Sequence, residues 1–322
     1  MKLLVLGGTE FLGRTLVEIA LAQGEDVTLF NRGRTNPELF PQAKHLEGDR
    51  DGELDSLVGR EWDAVVDTSG YVPRVVRDSV DLLRNQVDHY IFMSSISVYA
   101  SFAEPVDEES AVEELAEPGS EDADVHYGAL KALCEEEVVS GMNGRATNVR
   151  AGLIVGRHDP TGRFAYWVHR IAEGGEVLVP APLDQPIQIV DVRDLARWLL
   201  RLARNRVSGT FNAAGPATMR AVLETARAVS ASDASFTEIE ASFLVERELT
   251  RWAHFPLWLG GAGADFGHFF GADASRALAA GLTFRPLRET VEDALENAVC
   301  VDGVGISHDE EAALLAAWHG RD

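Results

Sequence analysis

The chain has 322 residues, of which 46% are hydrophobic and 25% charged, so it can form a buried core and is not intrinsically disordered. Its 52 acidic side chains exceed its 29 basic ones, and the net charge of −23 disfavours nucleic acid and anionic membrane surfaces as partners. Cys134 and Cys300 lie far apart without the spacing of a zinc site, and no metal is predicted. The N-terminal apolar run ends at Leu6, which is too short for a signal peptide. We therefore expect a cytoplasmic protein.

Short apolar strands alternate with amphipathic helices over the first 150 residues. Strands are predicted at 2–6, 26–30, 43–46, 64–67, 89–94 and 147–150. Helices are predicted between them at 12–23, 51–58, 74–85 and 127–139. Several strands are apolar along nearly their whole length, which is typical of a parallel sheet covered on both faces. The sequence therefore predicts an α/β fold with a doubly wound parallel sheet, the Rossmann fold.

The alternation changes after Arg150. A region rich in proline and glycine follows, with one predicted helix at 164–172, and then a further strand at 187–190 and helix at 192–204. From Pro216 the chain is predicted to be mostly helical. We predict a nucleotide-binding Rossmann domain and a smaller, mostly helical substrate-binding domain. The first comprises residues 1–151 and 187–215, and the second residues 152–186 and 216–322.

A glycine-rich turn, Gly7-Gly8-Thr9-Glu10-Phe11-Leu12-Gly13, joins the first strand to the first helix. At this position a glycine turn lets a pyrophosphate approach backbone N–H groups at a helix N-terminus. Gly7 and Gly13 keep the outer spacing of a dinucleotide-binding turn, and Glu10 stands where a middle glycine is usual. The predicted cofactor contacts in this turn are Gly7, Thr9, Glu10, Phe11, Leu12 and Gly13.

The ends of the next strands indicate which dinucleotide binds. The second strand is followed by Asn31, Arg32 and Arg34, and not by the acidic residue that binds a ribose 2′-hydroxyl, so NADP(H) is favoured over NAD(H). Asp49, after the third strand, can accept a hydrogen bond from the adenine amino group. Further cofactor contacts are predicted at Arg50, Thr68, Ser69 and Gly70.

A serine, a tyrosine and a lysine form the predicted catalytic group. Ser95 ends the fifth strand, and Tyr127 and Lys131 lie four residues apart on one face of the next helix. The phenol of Tyr has an ordinary pKa of about 10, and the Lys131 cation together with an oxidised nicotinamide would lower the pKa of Tyr127. Tyr127 would then exchange a proton with the substrate oxygen, which Ser95 would hold by a hydrogen bond. Tyr127 and Lys131 are also predicted cofactor contacts.

These motifs resemble the extended type of short-chain dehydrogenase/reductase, in the NAD(P)-dependent epimerase/dehydratase superfamily. The resemblance covers residues 1–215 and includes Ser-Ser-x-x-Val-Tyr at 94–99, the segment 150–156 and the segment 190–196. It implies that Ser95, Tyr127 and Lys131 are catalytic and that Ala151, where the family usually has proline, and Leu153 border the nicotinamide. It also implies a homodimer. The glycine turn and the Asn-Arg-Gly at 31–33 are similar to an atypical subgroup that includes plastid stem-loop RNA-binding proteins.

A further set of residues is predicted to contact the substrate. The predicted contacts are Ser95, Tyr71, His158, Arg163 and Gln188. Ten acidic and no basic residues lie between Glu104 and Asp124, a segment interpreted either as a solvated loop or as a lid that disfavours highly anionic substrates. Four arginines are candidates to offset this charge, namely Arg157, Arg163, Arg170 and Arg193.

The predicted function is an NAD(P)-dependent oxidoreductase that transfers hydride at a secondary alcohol or ketone of a small polar metabolite, with Tyr127 as general acid and base. One alternative is an NAD-dependent epimerase or dehydratase acting on a sugar nucleotide. Another is an RNA-binding or cofactor-sensing protein on the same scaffold, against which the net charge argues.

Overall fold

The computed structural model describes residues 1–249, 252–260 and 266–321. Its largest element is a seven-stranded parallel sheet with the strand order β10-β6-β5-β4-β1-β2-β3. These strands are β1 (Lys2–Leu6), β2 (Asp26–Asn31), β3 (Lys44–Glu47), β4 (Trp62–Asp67), β5 (Val87–Ser95), β6 (Ala146–Ala151) and β10 (Gly209–Ala213). The order reverses beside β1, as in doubly wound sheets, and the predicted α/β Rossmann fold is confirmed.

Helices cover both faces of this sheet. They are α1 (Phe11–Ala22), α2 (Pro73–Leu83), α3 (Tyr127–Met142) and α5 (Val192–Asn205). α1 packs against α5 on one face, and α2 packs against α3 on the other. Alternate side chains of β1 point to the two faces, so that Leu3 and Val5 join one apolar core while Leu4 and Leu6 join the other. Burial on both faces explains why β1 is apolar from Leu3 to Leu6.

A second layer packs beside the carboxyl ends of these strands. Its strands are β7 (Leu153–Val155), β8 (Glu176–Pro180), β9 (Pro186–Asp191), β11 (Gly215–Thr218) and β12 (Ser235–Ile239). They form the sheets β11-β9-β7 and β12-β8. Its helices are α4 (Arg163–Ala172), α6 (Met219–Ser230), α7 (Ala241–Val245), α9 (Leu287–Asn297) and α10 (His308–His319). α8 (Ser275–Ala279) packs instead against β10 of the large sheet, where Ala277 joins one of its apolar cores. A separate apolar core, with Trp167 and Trp258 fully buried, joins α4, α6 and α9.

Two predicted elements differ from the structure. The helix expected at 51–58 is only a 3₁₀ turn at Asp55–Leu57, because Gly52 has a φ of +94° and Leu57 alone is buried in the turn. The chain after Pro216 is less helical than predicted, since β11 and β12 lie within it. The division into two domains stays a prediction. No helix among the described residues has the length and apolar character needed to cross a bilayer.

Candidate active site

A cleft of ≈ 600 Å³ opens at the carboxyl ends of the parallel strands, where doubly wound sheets bind their ligands. Most predicted site residues line it. These are Gly7, Thr9, Glu10, Phe11, Leu12, Gly13, Asn31, Arg32, Arg34, Asp49, Arg50, Thr68, Ser69, Tyr71, Tyr127 and Lys131. A second depression, of ≈ 530 Å³, lies at the opposite edge of the sheet, and its Arg145 is hydrogen-bonded to the backbone carbonyls of Val87 and Arg84. We therefore place the site in the first cleft.

The glycine turn is held in shape by bonds to its own backbone. Gly7 has a φ of +103°, which glycine adopts without strain. Asn31 Nδ2 donates to the carbonyl of Gly7 at 3.0 Å, and Asn36 Nδ2 donates to that of Thr9 at 2.9 Å. Thr68 Oγ1 donates to the carbonyl of Leu6 at 2.9 Å. Asn31 and Thr68 thus brace the turn, and Asn36, which was not predicted, contributes to the same support.

Gly13 is expected to be sensitive to substitution because helix α1 passes very close to the turn at this residue. A Cβ added at Gly13 would lie 2.8 Å from the backbone nitrogen of Gly8. Overpacking of this kind typically costs about 1–3 kcal/mol, which exceeds the gain of about 1 kcal/mol in helix propensity. We expect Gly13→Ala to lower the melting temperature and weaken dinucleotide binding at least tenfold, measured by thermal shift with and without NADPH. Gly320→Ala, whose added Cβ would come no closer than 3.3 Å to its nearest neighbour, is the control.

A buried ion pair forms the floor of the cleft. Arg50 Nη1 and Nη2 donate to the two carboxylate oxygens of Asp67 at 2.7 and 2.9 Å, and Arg50 also contacts Ser69 and Ser79. The Tyr90 hydroxyl donates to Asp67 at 2.8 Å. Burial alone would raise the pKa of Asp67, but Arg50 outweighs it and holds that pKa below its usual value. Arg50, a predicted cofactor contact, therefore has its guanidinium committed to the floor. Sequence reasoning did not identify Asp67 or Tyr90.

Lys131 is buried directly beside this floor. Its Nζ donates to the carbonyls of Gly70, at 2.8 Å, and Met93, and it lies 4.3 Å from the centre of the Phe92 ring. Burial lowers the pKa of Lys131 to about 8, although the nearby negative charge of Asp67 opposes the change. The predicted contact at Gly70 is thus a backbone acceptor for the lysine.

Tyr127 begins α3 at the mouth of the cleft, with its ring centre 6.4 Å from that of Tyr71. Burial of the phenol, and next Tyr71, raise the pKa of Tyr127, while the Ser95 hydroxyl and the charge of Arg163 oppose the rise. Sequence reasoning expected a lowered pKa. The difference arises because burial outweighs the favourable charges, and because the Lys131 ammonium is hydrogen-bonded to two backbone carbonyls.

Two serines end β5 and differ in their bonding. Ser95 Oγ accepts from the backbone N–H of Ser97 and donates to the hydroxyl of Ser97, each at 3.1 Å, so it caps the short turn that follows. Ser94 lines the cleft, and its buried Oγ has no hydrogen-bond partner within the described part of the chain. A buried hydroxyl without a partner is unfavourable, so Ser94 fits a site completed by a polar ligand. Sequence reasoning did not single out Ser94.

Four other predicted site residues do not line the cleft, namely His158, Gln188, Ala151 and Leu153. His158 lies 3.7 Å from Glu18 of α1, and the amide of Gln188 both donates to and accepts from the backbone of Ala272. The structure therefore does not bring these two side chains together with Tyr127. Ala151 pairs with Ser95 in the sheet, and Leu153 lies in β7 next to the cleft residue Ile154.

The acidic segment 104–124 is anchored at both ends. Near its start, the buried Glu108 accepts a hydrogen bond from the backbone of Asn212 at 2.8 Å. Near its end, Glu121 pairs with Arg74 at 2.9 Å, and Arg74 also pairs with the cleft residue Asp51 at 2.7 Å. The segment thus reaches the rim of the cleft, and its role as a lid stays a prediction.

Residues 3–214 match the model of the NAD dependent epimerase/dehydratase family. The chain belongs to this family. The predicted family is confirmed, and membership agrees with the prediction of an NAD(P)-dependent enzyme. The structure is similar to that of UDP-glucuronic acid 4-epimerase from Bacillus cereus in complex with NAD, with a TM-score of 0.66 and 16% identity over 92% of this chain and 98% of that one. It is similar also to the Bordetella bronchiseptica enzyme WbmH in complex with NAD⁺, with a TM-score of 0.68 and 18% identity over 92% and 99%. At such identities these likenesses concern the fold.

A curated relative is the chloroplast stem-loop binding protein of 41 kDa b from Arabidopsis thaliana, which is 29% identical over 233 residues. The match covers 66% of this chain and 58% of that protein. The chain therefore spans less than two thirds of the length of this relative.

Proposed function

We propose that the protein is an NAD(P)-dependent oxidoreductase that transfers hydride at a secondary alcohol or ketone of a small polar metabolite. The observation that carries the proposal is the position of Tyr127 at the mouth of the cleft, with Lys131 buried behind it and the Ser95 hydroxyl beside it. No other tyrosine begins a helix at this edge of the sheet within the described residues.

The residues of the cleft fit a dinucleotide. The glycine turn leaves room for a pyrophosphate at the start of α1, and the unpartnered Ser94 hydroxyl and the Lys131 ammonium lie at the inner end. When bound, the dinucleotide supplies the group that accepts or donates hydride. Tyr127 moves the proton to or from the substrate oxygen, and Ser95 orients that oxygen by a hydrogen bond. Lys131, whose ammonium is held by the carbonyls of Gly70 and Met93, would bind the ribose hydroxyls with its remaining N–H.

We propose further that NADP(H) is preferred. Arg32 and Arg34 line the cleft after β2, and both are exposed. Arg32 Nη1 lies 4.0 Å from Asp49, which is too weak an ion pair to occupy the guanidinium. Both side chains are therefore available to bind a 2′-phosphate.

Reversal of the charge at Arg32 is expected to reverse the cofactor preference. Arg32→Glu should weaken NADPH binding about tenfold or more, because a charge-assisted phosphate contact is lost and repulsion is added. NADH binding should change by less than about threefold, since NADH lacks the 2′-phosphate. Titration of cofactor fluorescence measures both affinities, with Arg288→Gln on α9 as the control. Equal losses for the two cofactors would contradict the preference.

An epimerase or dehydratase of a sugar nucleotide is the second candidate, favoured by the family match and by the names of the similar structures. The two reactions differ in their balance of hydride. An oxidoreductase changes the oxidation state of one cofactor per product: it forms reduced cofactor when it oxidises an alcohol and consumes it when it reduces a ketone, and absorbance at 340 nm detects either change. An epimerase returns the hydride and shows no net change. Assays with nucleotide sugars and simple ketones, analysed for both cofactor and product, distinguish them.

An RNA-binding protein on this scaffold is the third candidate, suggested by the name of the chloroplast relative. The net charge of −23 opposes it. Filter binding of a structured RNA at low salt tests it, and tight binding would contradict the oxidoreductase proposal. The cytoplasmic location stays a proposal, as does a homodimer formed through α2 and α3.

A further inference from the structure

Four arginines near the second layer were candidates to offset the acidic segment, and their partners differ. Arg157 pairs with Asp293, Arg170 pairs with Glu311 at 2.7 Å, and Arg193 pairs with Asp191 at 2.7 Å. Each of these partners is a buried carboxylate, so these three arginines have structural roles. The side chain of Arg163 makes no ion pair and no hydrogen bond with any residue in 1–249, 252–260 or 266–321.

The position of Arg163 places its charge near the reacting group. It is the first residue of α4 and is partly buried, with its guanidinium carbon 5.5 Å from the centre of the Trp252 ring. Its charge acts on Tyr127, and the effect is mutual. The Asp159 carboxylate accepts hydrogen bonds from the backbone N–H and the hydroxyl of Thr161, at 2.8 and 2.7 Å. Its charge also attracts Arg163, but the two side chains form no ion pair or hydrogen bond.

The Arg163 guanidinium is partly buried against an aromatic ring and has no hydrogen-bond acceptor among the described residues, so its N–H groups are left to water or to a ligand. The planar fork of arginine matches the oxygens of a carboxylate or a phosphate. The indole of Trp252 supports the cation on one side and leaves the other donors available.

We propose that Arg163 binds an anionic group of the substrate, a carboxylate or a phosphate ester, and thereby places the neighbouring carbinol carbon at Tyr127. This inference rests on the proposed function and adds a substrate class to it. A single anionic group is matched by the single charge of Arg163. The acidic segment, with Glu121 near the rim, still disfavours a substrate that carries several unpaired negative charges.

The test measures anion binding to protein already saturated with NADPH, so that the pyrophosphate site is filled. Inorganic phosphate and malonate are titrated separately by calorimetry, and the stronger of the two indicates whether the substrate group is a phosphate or a carboxylate. We expect one of them to bind the wild type. Arg163→Gln should weaken that binding at least tenfold, and Arg163→Lys, which keeps the charge, by less than about fivefold. Arg288→Gln, an exposed arginine on α9, should bind like the wild type.

Three outcomes separate the possibilities. Equal anion binding by the wild type and Arg163→Gln would overturn the inference, as would the absence of binding by both anions to the wild type. NADPH fluorescence is recorded for every variant, because loss of NADPH binding by the wild type would contradict the proposed function and not the role of Arg163. Retained NADPH binding by Arg163→Gln shows that the variant is folded.

Discussion

Tyr127→Phe is expected to lower kcat about 10²–10⁴-fold, the range by which a positioned general acid or base accelerates a reaction. The phenol is at the cleft mouth, and phenylalanine keeps the ring against Tyr71 but cannot exchange a proton. Because the ring is kept, dinucleotide affinity should stay within about threefold of the wild type. The measurement is the rate with the substrate identified by the ketone and nucleotide-sugar assays, together with titration of NADPH.

The control for this variant is Tyr99→Phe. Tyr99 is buried outside the cleft and its hydroxyl donates to Asn212 at 2.6 Å, so its loss affects stability and should leave kcat within about twofold. Unchanged turnover in Tyr127→Phe would disprove the proposed mechanism.

The pH dependence gives a second test of the same group. Alcohol oxidation requires the phenolate of Tyr127, and burial raises the pKa of that phenol. The oxidation rate should therefore increase with pH into the alkaline range, and the reduction rate should fall there, because reduction requires the protonated phenol. Arg163→Gln should move the pH dependence of the oxidation rate and that of the reduction rate to higher pH, since it removes a positive charge that opposes the rise in the pKa of Tyr127.

Local patterns were sufficient to predict the sheet and much of the cleft. Apolar strands, the glycine turn and the four-residue spacing of Tyr127 and Lys131 depend on neighbours in sequence, and these features lie where the pattern indicates. The helix expected at 51–58 failed because only Leu57 of its 3₁₀ turn is buried, and an isolated short helix is unstable without packing.

Features that depend on distant partners could not be predicted. Arg157, Arg163 and Arg170 look equivalent in sequence. In the fold, Arg157 pairs with Asp293 and Arg170 with Glu311, and both carboxylates lie more than a hundred residues away along the chain, so local patterns do not reveal these pairs. Gln188 has a polar side chain suited to a substrate contact, but in the fold its amide is hydrogen-bonded to the backbone of Ala272. The pKa of Tyr127 likewise depends on burial, which the spacing of Tyr127 and Lys131 does not reveal.

Asp67→Asn is expected to destabilise the fold by about 3–5 kcal/mol, the cost of breaking a buried ion pair by removing one partner. The side chain of Asp67 is fully buried and accepts from both Arg50 and Tyr90, so asparagine leaves the charge of Arg50 uncompensated. Denaturant unfolding measures the loss. Tyr90→Phe, which removes one hydrogen bond to Asp67 and no charge, should cost only about 1–3 kcal/mol.

The double variant Arg50→Met, Asp67→Asn tests whether the loss of stability comes from the unpaired charge of Arg50. Removing both charges should restore part of the lost stability, because the uncompensated guanidinium is then gone. The single variants Arg50→Met and Asp67→Asn are measured beside it. If the double variant loses as much free energy of unfolding as the two single variants together, the side chains are not coupled and the ion-pair interpretation is wrong.

Acid should reveal the same pair in the wild type. Arg50 holds the pKa of Asp67 below its usual value, so its contribution to stability is complete above the unfolded pKa of about 4 and is lost as the pH falls through the lower native pKa. Asp67→Asn lacks this loss, and its stability should depend less on pH below pH 4. In the same variant the pKa of Lys131 should fall below its present value of about 8, because Asp67 raises it and the remaining charge of Arg50 lowers it.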